Sequence, residues 1–280
     1  MRVESAIKDA FLKLKKKKIN SALLDSEILM SKAINKNREF IILNLQQELN
    51  KDDYFYFKEL INERSKGKPI AYLTGKKSFW KYDFEINENV LIPRPDTEIL
   101  VEQVLNIYKN KRNLNLLDIG SGSGCILLSI LKEKKHFYGT CIDLSNECLK
   151  ISKINADKLG IKNRIKFFKS DIDNFTYGKY DLIVSNPPYI NLHDLKYLER
   201  DVVNFEPKLA LNGGLDGLSE IRKVIKKSSE LIKNNGKLIL EIGFDQKIKV
   251  KEILNSKGFY INKVLKDYAK NDRCIISTKK

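Results

Sequence analysis

The residue types and spacings that say most about chemistry are Asn186-Pro187-Pro188-Tyr189, which close the apolar run 180–185. The two prolines fix φ and remove two backbone donors, so a turn built on them is stiff and presents carbonyl oxygens with few competing N–H groups. Asn186 adds a side-chain carbonyl and Tyr189 a flat ring. Acceptors beside an aromatic face suit a planar –NH2 group. The plainer alternative is a Pro-rich loop that ends a strand.

A second group stands upstream. Residues 116–124, Leu-Leu-Asp-Ile-Gly-Ser-Gly-Ser-Gly, read as a strand running through a glycine loop into a helix. Glycines at 120, 122 and 124, with Ser121 and Ser123 between them, allow tight turning and close backbone approach to a ligand. The spacing is not the dinucleotide Gly-x-Gly-x-x-Gly, because Cys125 and Leu127 follow. Asp143 ends the next predicted strand, where an acidic residue receives ribose hydroxyls in this topology. Asp171 ends the third, where a carboxylate could accept from an adenine amino group or simply cap a helix. Three successive strand ends therefore carry a glycine turn and two carboxylates toward one crevice at the C-terminal edge of a sheet.

These residues need a scaffold, and the hydrophobic pattern supplies one. Residues 1–75 read as helical, with Val3, Ile7, Ala10, Phe11 and Leu14 on one face. Ser21 is the expected cap of a second helix carrying Leu24, Ile28 and Leu29. Asp52 or Asp53 is the expected cap of another, with Tyr54, Phe57, Leu60 and Ile61, ending near Gly67. The alternating segment 78–86, with a second strand expected at 90–92, reads as a hairpin. Strands are expected at 115–119, 137–142, 165–168, 180–185, 237–242, 258–265 and 273–278, most of them separated by helices. That alternation predicts right-handed crossovers and an α/β fold with a mainly parallel sheet, the last two strands pairing antiparallel.

Composition narrows the function class. The 280 residues carry 52 Lys and Arg against 36 Asp and Glu, a net charge of +16. The lysines are spread along the whole chain, so the charge does not mark one nucleic-acid patch, and Lys15 to Lys18 read as a solvated helix end. No stretch approaches the length of a membrane span and the N-terminus lacks a signal-like apolar core. Four cysteines without paired spacing imply buried thiols of a cytoplasmic protein, and two histidines leave little for a metal centre.

On these motifs the chain resembles the class I S-adenosylmethionine-dependent methyltransferases. Within them it is most similar to the glutamine-N5 methyltransferases that modify peptide chain release factors. The likeness also covers 69–75 (Pro-Ile-Ala-Tyr-Leu-Thr-Gly), Phe79-Trp80, 91–98 (Leu-Ile-Pro-Arg-Pro-Asp-Thr-Glu), 206–211, 213–217 and 267–273. It implies a Rossmann-like, seven-stranded methyltransferase sheet preceded by a small helical bundle. Its expected parts are a substrate-docking domain at 1–75, a hairpin linker at 76–95 and a methyltransferase domain at 96–280. It further implies S-adenosyl-L-methionine contacts from Gly120, Ser121, Gly122, Ser123, Gly124, Asp143, Asp171, Ile172 and Asn186. Ile172 stands where relatives often carry an aromatic residue, and it can pack on the adenine ring without stacking. Asn186, Pro187, Pro188 and Tyr189 would hold a substrate glutamine, with Asn186, Pro187 and Tyr189 as the catalytic set. The expected protein is a cytoplasmic monomer without metal. Its expected partner is a class I release factor, with no membrane and no direct nucleic-acid substrate. A ribosomal-protein glutamine, an exocyclic amine of DNA or RNA, and a non-catalytic RNA-binding module are the alternatives.

Overall fold

The computed structural model describes residues 1–280. Helices α1 (Val3–Lys16), α2 (Ala22–Ala33), α3 (Arg38–Leu43), α4 (Lys51–Ser65) and α5 (Ile70–Thr74) are followed by strands β1 (Lys76–Phe79) and β2 (Tyr82–Glu85). Then come α6 (Glu98–Ile107), β3 (Leu114–Ile119), α7 (Cys125–Glu133), β4 (Phe137–Asp143), α8 (Asn146–Lys158), β5 (Ile165–Lys169) and β6 (Tyr180–Ser185). The chain ends with α9 (Arg200–Phe205), α10 (Ser219–Leu231), β7 (Ile232–Glu241), α11 (Lys247–Ser256), β8 (Phe259–Lys266) and β9 (Asp272–Lys279). Two compact units result: 1–76 with 199–205, and 77–198 with 206–280. No helix is long and apolar enough to cross a membrane.

The first unit is helical. Val3, Ile7, Ala10 and Leu14 of α1 pack with Leu29, Met30, Phe57, Leu60 and Ile61, while Phe11 and Tyr54 lie half-buried at the margin. Two expectations fail here. Leu24 is exposed, because α2 turns Ala22, Ser26, Leu29, Met30 and Ala33 inward. The cap of α4 is Asn50, whose extended backbone lets its side chain accept from the Asp53 N–H. Asp52 and Asp53 already belong to the first turn, where their charge suits the positive helix end. Ser21 precedes α2 as expected but makes no side-chain cap. Inside the unit Arg64 donates from Nε to Asp25 at 2.7 Å and from NH1 to the Lys68 carbonyl at 3.1 Å. Both side chains are buried.

The hairpin differs from expectation in its second strand. The chain reverses at Trp80, whose φ of +58° closes the tight turn, so β2 lies inside the alternating segment. Residues 90–92 form no strand, although Val90 and Ile92 are buried. Phe79 and Phe84 meet edge to face at 6.1 Å within the core of the second unit. Asn155 of α8 brackets the Glu85 backbone, accepting from its N–H at 2.7 Å and donating to its carbonyl at 3.0 Å.

The second unit is a seven-stranded sheet in the order β5-β4-β3-β6-β7-β9-β8. The five strands β3 to β7 run parallel, and β9 alone is reversed, pairing antiparallel with both β7 and β8. All seven expected strands are present. Their side chains alternate between two cores: Leu116, Cys141, Leu182, Val184 and Ile239 face α6 and α7, while Leu117, Ile119, Ile142, Ile183 and Leu240 face α10 and α11. That period-two alternation locks register, since a one-residue slip would exchange the faces.

Asp25→Ala leaves the buried Arg64 guanidinium with only the more distant Asp201 carboxylate, 3.8 Å away. It should destabilise the protein by about 3–5 kcal/mol. Arg38→Ala, which removes the exposed partner of Glu27, should cost less than about 1 kcal/mol. Urea unfolding followed by circular dichroism compares the two.

Candidate active site

Strand register builds the site. Ile119 pairs with Ile142 of β4 on one side and Ser185 of β6 on the other, and Ser185 pairs with Leu240 of β7. Glu241 pairs with Cys274 of β9. One edge of the sheet therefore carries, in order, Asp143, Gly120, Asn186, Glu241 and Arg273. The chain switches direction between β3 and β6, and ligands of open α/β sheets bind at such a switch point.

The glycine loop is held from behind. Gly122 and Ser123 turn their carbonyls to Ser152 Oγ at 2.8 Å and Asn155 Nδ2 at 2.9 Å, both on α8. Gly120, Gly122 and Gly124 all have positive φ, which glycine adopts without steric cost. They differ in surroundings. A Cβ at 120 or 122 would meet nothing within 4 Å, whereas one at 124 would lie 2.9 Å from Leu128 Cδ1 and 3.1 Å from Ser152 Oγ. Gly124 thus serves close packing, and Gly120 and Gly122 border open space. Ser121 and Ser123 are buried.

Asp143 is held by two N–H donors, Gly122 at 2.9 Å and Ser145 at 2.8 Å. Burial raises its carboxyl against these bonds. Asp118, in β3 two residues before the loop, is fully buried, and neither oxygen makes a hydrogen bond of ordinary geometry. Burial pushes its carboxyl up to about 7, against the pull of the Leu127 N–H. A buried carboxylate without a counter-charge, two residues before the glycine loop, suits a ligand that brings a cation. Asp171 lies two residues past β5, exposed, and caps the short turn Ile172–Asn174 by accepting from the Asp173 N–H at 2.9 Å. Ile172 packs half-buried on the core that faces α10 and α11.

The Asn-Pro-Pro-Tyr turn leaves β6 with Pro187 buried and the other three residues half-buried. Asn186 Nδ2 donates to Thr97 Oγ1 at 3.1 Å, and the Thr97 hydroxyl donates to Glu241 Oε2 at 2.7 Å. The Tyr189 hydroxyl donates to Glu241 Oε1 at 3.2 Å. Arg273 NH1 reaches the Tyr189 oxygen at 3.3 Å, with its guanidinium 5.9 Å over the ring. Asp267 holds that guanidinium at 3.0 Å. Burial raises the Glu241 carboxyl to about 7, opposed by Thr97 and Arg273. Burial and the Glu241 charge also raise the Tyr189 phenol, which stays protonated as a donor.

Sequence reasoning placed the glycines, Asp143 and the Asn-Pro-Pro-Tyr turn at one edge, and there they lie. It missed Asp118, Thr97, Glu241 and Arg273. The signal for Asp118 was a charged residue inside an apolar strand. For Glu241 it was a carboxylate ending the run Leu238-Ile239-Leu240.

Two measurements test the loop. Gly124→Ala combines a left-handed backbone with overpacking and should cost about 3 kcal/mol, against about 1–2 kcal/mol for Gly120→Ala. Thermal melts without ligand separate them, and Gly120→Ala should lose ligand binding despite its milder melt. For Asp118, a folded pKa above the unfolded one stabilises fully below about pH 4 and is lost as pH rises through about 7. Asp118→Asn removes that loss, so its melting temperature should gain on the unsubstituted protein between pH 5 and pH 8.

Comparison with known proteins agrees with this architecture. Residues 5–75 match the PrmC N-terminal domain and residues 95–215 the methyltransferase small domain. A release factor glutamine methyltransferase of Clostridium acetobutylicum is 37% identical over 282 residues, spanning 100% of this chain and 99% of its own length. One from Buchnera aphidicola subsp. Schizaphis graminum is 40% identical over 256 residues, 91% of this chain and 92% of its own. In fold, a Pyrococcus furiosus methyltransferase matches with a TM-score of 0.54 at 18% identity, over 70% of this chain and 88% of that one. End-to-end identity at this level, with the motifs in place on the sheet edge, makes the chain a member of the release factor glutamine methyltransferase family.

Proposed function

We propose that this protein transfers the methyl group of S-adenosyl-L-methionine to the side-chain amide nitrogen of the Gly-Gly-Gln glutamine in class I release factors. The observation that carries the reading is the orientation of Asn186. Its –NH2 is engaged by Thr97, which leaves Oδ1 as a free acceptor beside the glycine loop. Family membership supports the substrate.

The residues at the edge fit the cofactor. Gly120 and Gly122 leave room for close approach, Ser121, Ser123 and Gly124 shape the loop, and Asp143 offers a carboxylate for ribose hydroxyls. Asp171 and Ile172 lie at the adjoining strand end for the adenine. Asp118 supplies the negative charge that a cationic ligand needs. Bound there, the sulfonium supplies an electrophilic methyl group and leaves as S-adenosyl-L-homocysteine.

The difficulty of the reaction is the nucleophile, since an amide lone pair is delocalised into its carbonyl. Asn186 Oδ1 and the Pro187 carbonyl accept the two hydrogens of the glutamine –NH2. Pro188 stiffens the turn and Tyr189 offers its ring face. With both hydrogens anchored, the lone pair is aimed rather than free to rotate, and such orientation supplies several kcal/mol of a barrier. The fixed acceptors stabilise positive charge as it develops on nitrogen. Proton loss to water then follows. The helical unit serves as the docking domain for the release factor, and the enzyme acts as a monomer in the cytoplasm.

Radiolabelled S-adenosyl-L-methionine offered with release factor, ribosomal protein, DNA and RNA in parallel tests the reading. Label should enter release factor alone and vanish when its Gly-Gly-Gln glutamine is replaced. Asn186→Ala should lower turnover by roughly 10²–10³-fold, the loss seen when one preorganised hydrogen-bonding group is removed. Label in ribosomal protein or nucleic acid instead would overturn the substrate.

A further inference from the structure

We infer that Glu241, acting through Thr97, is a positioning residue that holds the Asn186 carboxamide with its oxygen toward the substrate amide; the inference rests on the substrate reading above. An asparagine amide has two orientations of nearly equal shape, and only hydrogen bonding chooses between them. Here the choice passes through one hydroxyl. Thr97 owns a single proton, and Glu241 Oε2 takes it at 2.7 Å. The Thr97 oxygen is then left as an acceptor, and it can receive only the –NH2 of Asn186, at 3.1 Å.

The same carboxylate anchors the far end of the turn. Its second oxygen accepts from Tyr189, so Glu241 holds the first and last residues of Asn-Pro-Pro-Tyr together from beneath. An ionised carboxylate can only accept, which imposes one direction on both hydroxyls. Once protonated, Glu241 donates a bond of its own. The Thr97 proton is then free to point at Asn186, the amide turns over, and an –NH2 faces the substrate –NH2. Donor then opposes donor and the glutamine loses its anchor.

The pH profile reports the same switch. The groups facing Glu241 are Tyr189, Arg273 and Asp96, with the Cys125 and Cys274 thiols close by. Arg273 favours the ionised form and Asp96 opposes it. Since the ionised form is the active one, turnover should climb as pH rises through about 7. Asp118 titrates in the same range, so a variant at 241 is needed to assign the limb.

Steady-state kinetics of Thr97→Val, Thr97→Ser and Glu241→Gln with release factor decide the matter, alongside calorimetric cofactor affinity. Thr97→Val and Glu241→Gln should lose roughly 10–100-fold in kcat, the range for residues that orient a contacting group. Cofactor affinity and KM for release factor should stay within about 3-fold, a split that unfolding would not give, and Thr97→Ser should restore most of the rate. The pH limb near 7 should vanish in Glu241→Gln. Should Glu241→Gln fail to fold, the Thr97 pair still decides. Unchanged kcat in Thr97→Val, or a limb that persists in folded Glu241→Gln, overturns the positioning role alone. A wild-type enzyme that binds cofactor but labels no release factor overturns the substrate reading, and this inference with it.

Discussion

The parallel pairing of β3 with β6 is the constraint on which the rest depends. The two strands are separated by two crossover units, yet Ile119 lies opposite Ser185. Parallel strands end at the same edge, so the loops that follow them must emerge side by side. The glycine turn and the Asn-Pro-Pro-Tyr turn are neighbours for that reason alone. What enforces the pairing is the two-sided core. Leu182 and Val184 face one layer of helices and Ile183 the other, and a shift by one residue would bury the wrong set.

That framework tolerates groups that by themselves oppose folding. Asp118 and Glu241 are both buried carboxyls raised to about 7. Glu241 is compensated by two hydroxyl donors and by Arg273, whereas Asp118 has no such partners. A charge left without compensation inside a well-packed sheet destabilises the ligand-free protein. Asp118 stands two residues before Gly120, at the start of the glycine loop. The hairpin contributes from outside the sheet: Asn155 ties both the Glu85 backbone and the Ser123 carbonyl to α8, so the loop is clamped on its far side.

Much of this was legible in the chain. Buried parallel strands read as near-continuous runs of Ile, Leu and Val, and those runs located all seven strands of the sheet. The start of β7 escaped, because Asn234-Asn235-Gly236 reads as a turn; the strand begins at Ile232 and absorbs these residues in an irregularity where Asn235 takes a φ of +62°. The second hairpin strand and the cap of α4 were misplaced for a similar reason. Each depends on the backbone conformation of one residue, Trp80 or Asn50, which propensity does not reveal.

The sequence by itself determined the alternation of elements, the glycine turn, Asp143 and the Asn-Pro-Pro-Tyr turn, because these are local. Each is written in consecutive residues whose stereochemistry leaves few conformations. Only the tertiary structure decided what supports Asn186. Thr97, Glu241 and Arg273 come from three separate segments; Glu241 stands out locally only as a carboxylate ending an apolar run, and Thr97 and Arg273 read as an ordinary helix-start threonine and a surface arginine. The pairing of β6, β7 and β9 sets Asn186, Glu241 and Arg273 side by side, and Thr97, from the turn before α6, bridges Asn186 and Glu241. Hydrogen bonds reach only about 3 Å, so a network of this kind exists solely where distant strands have been set in register.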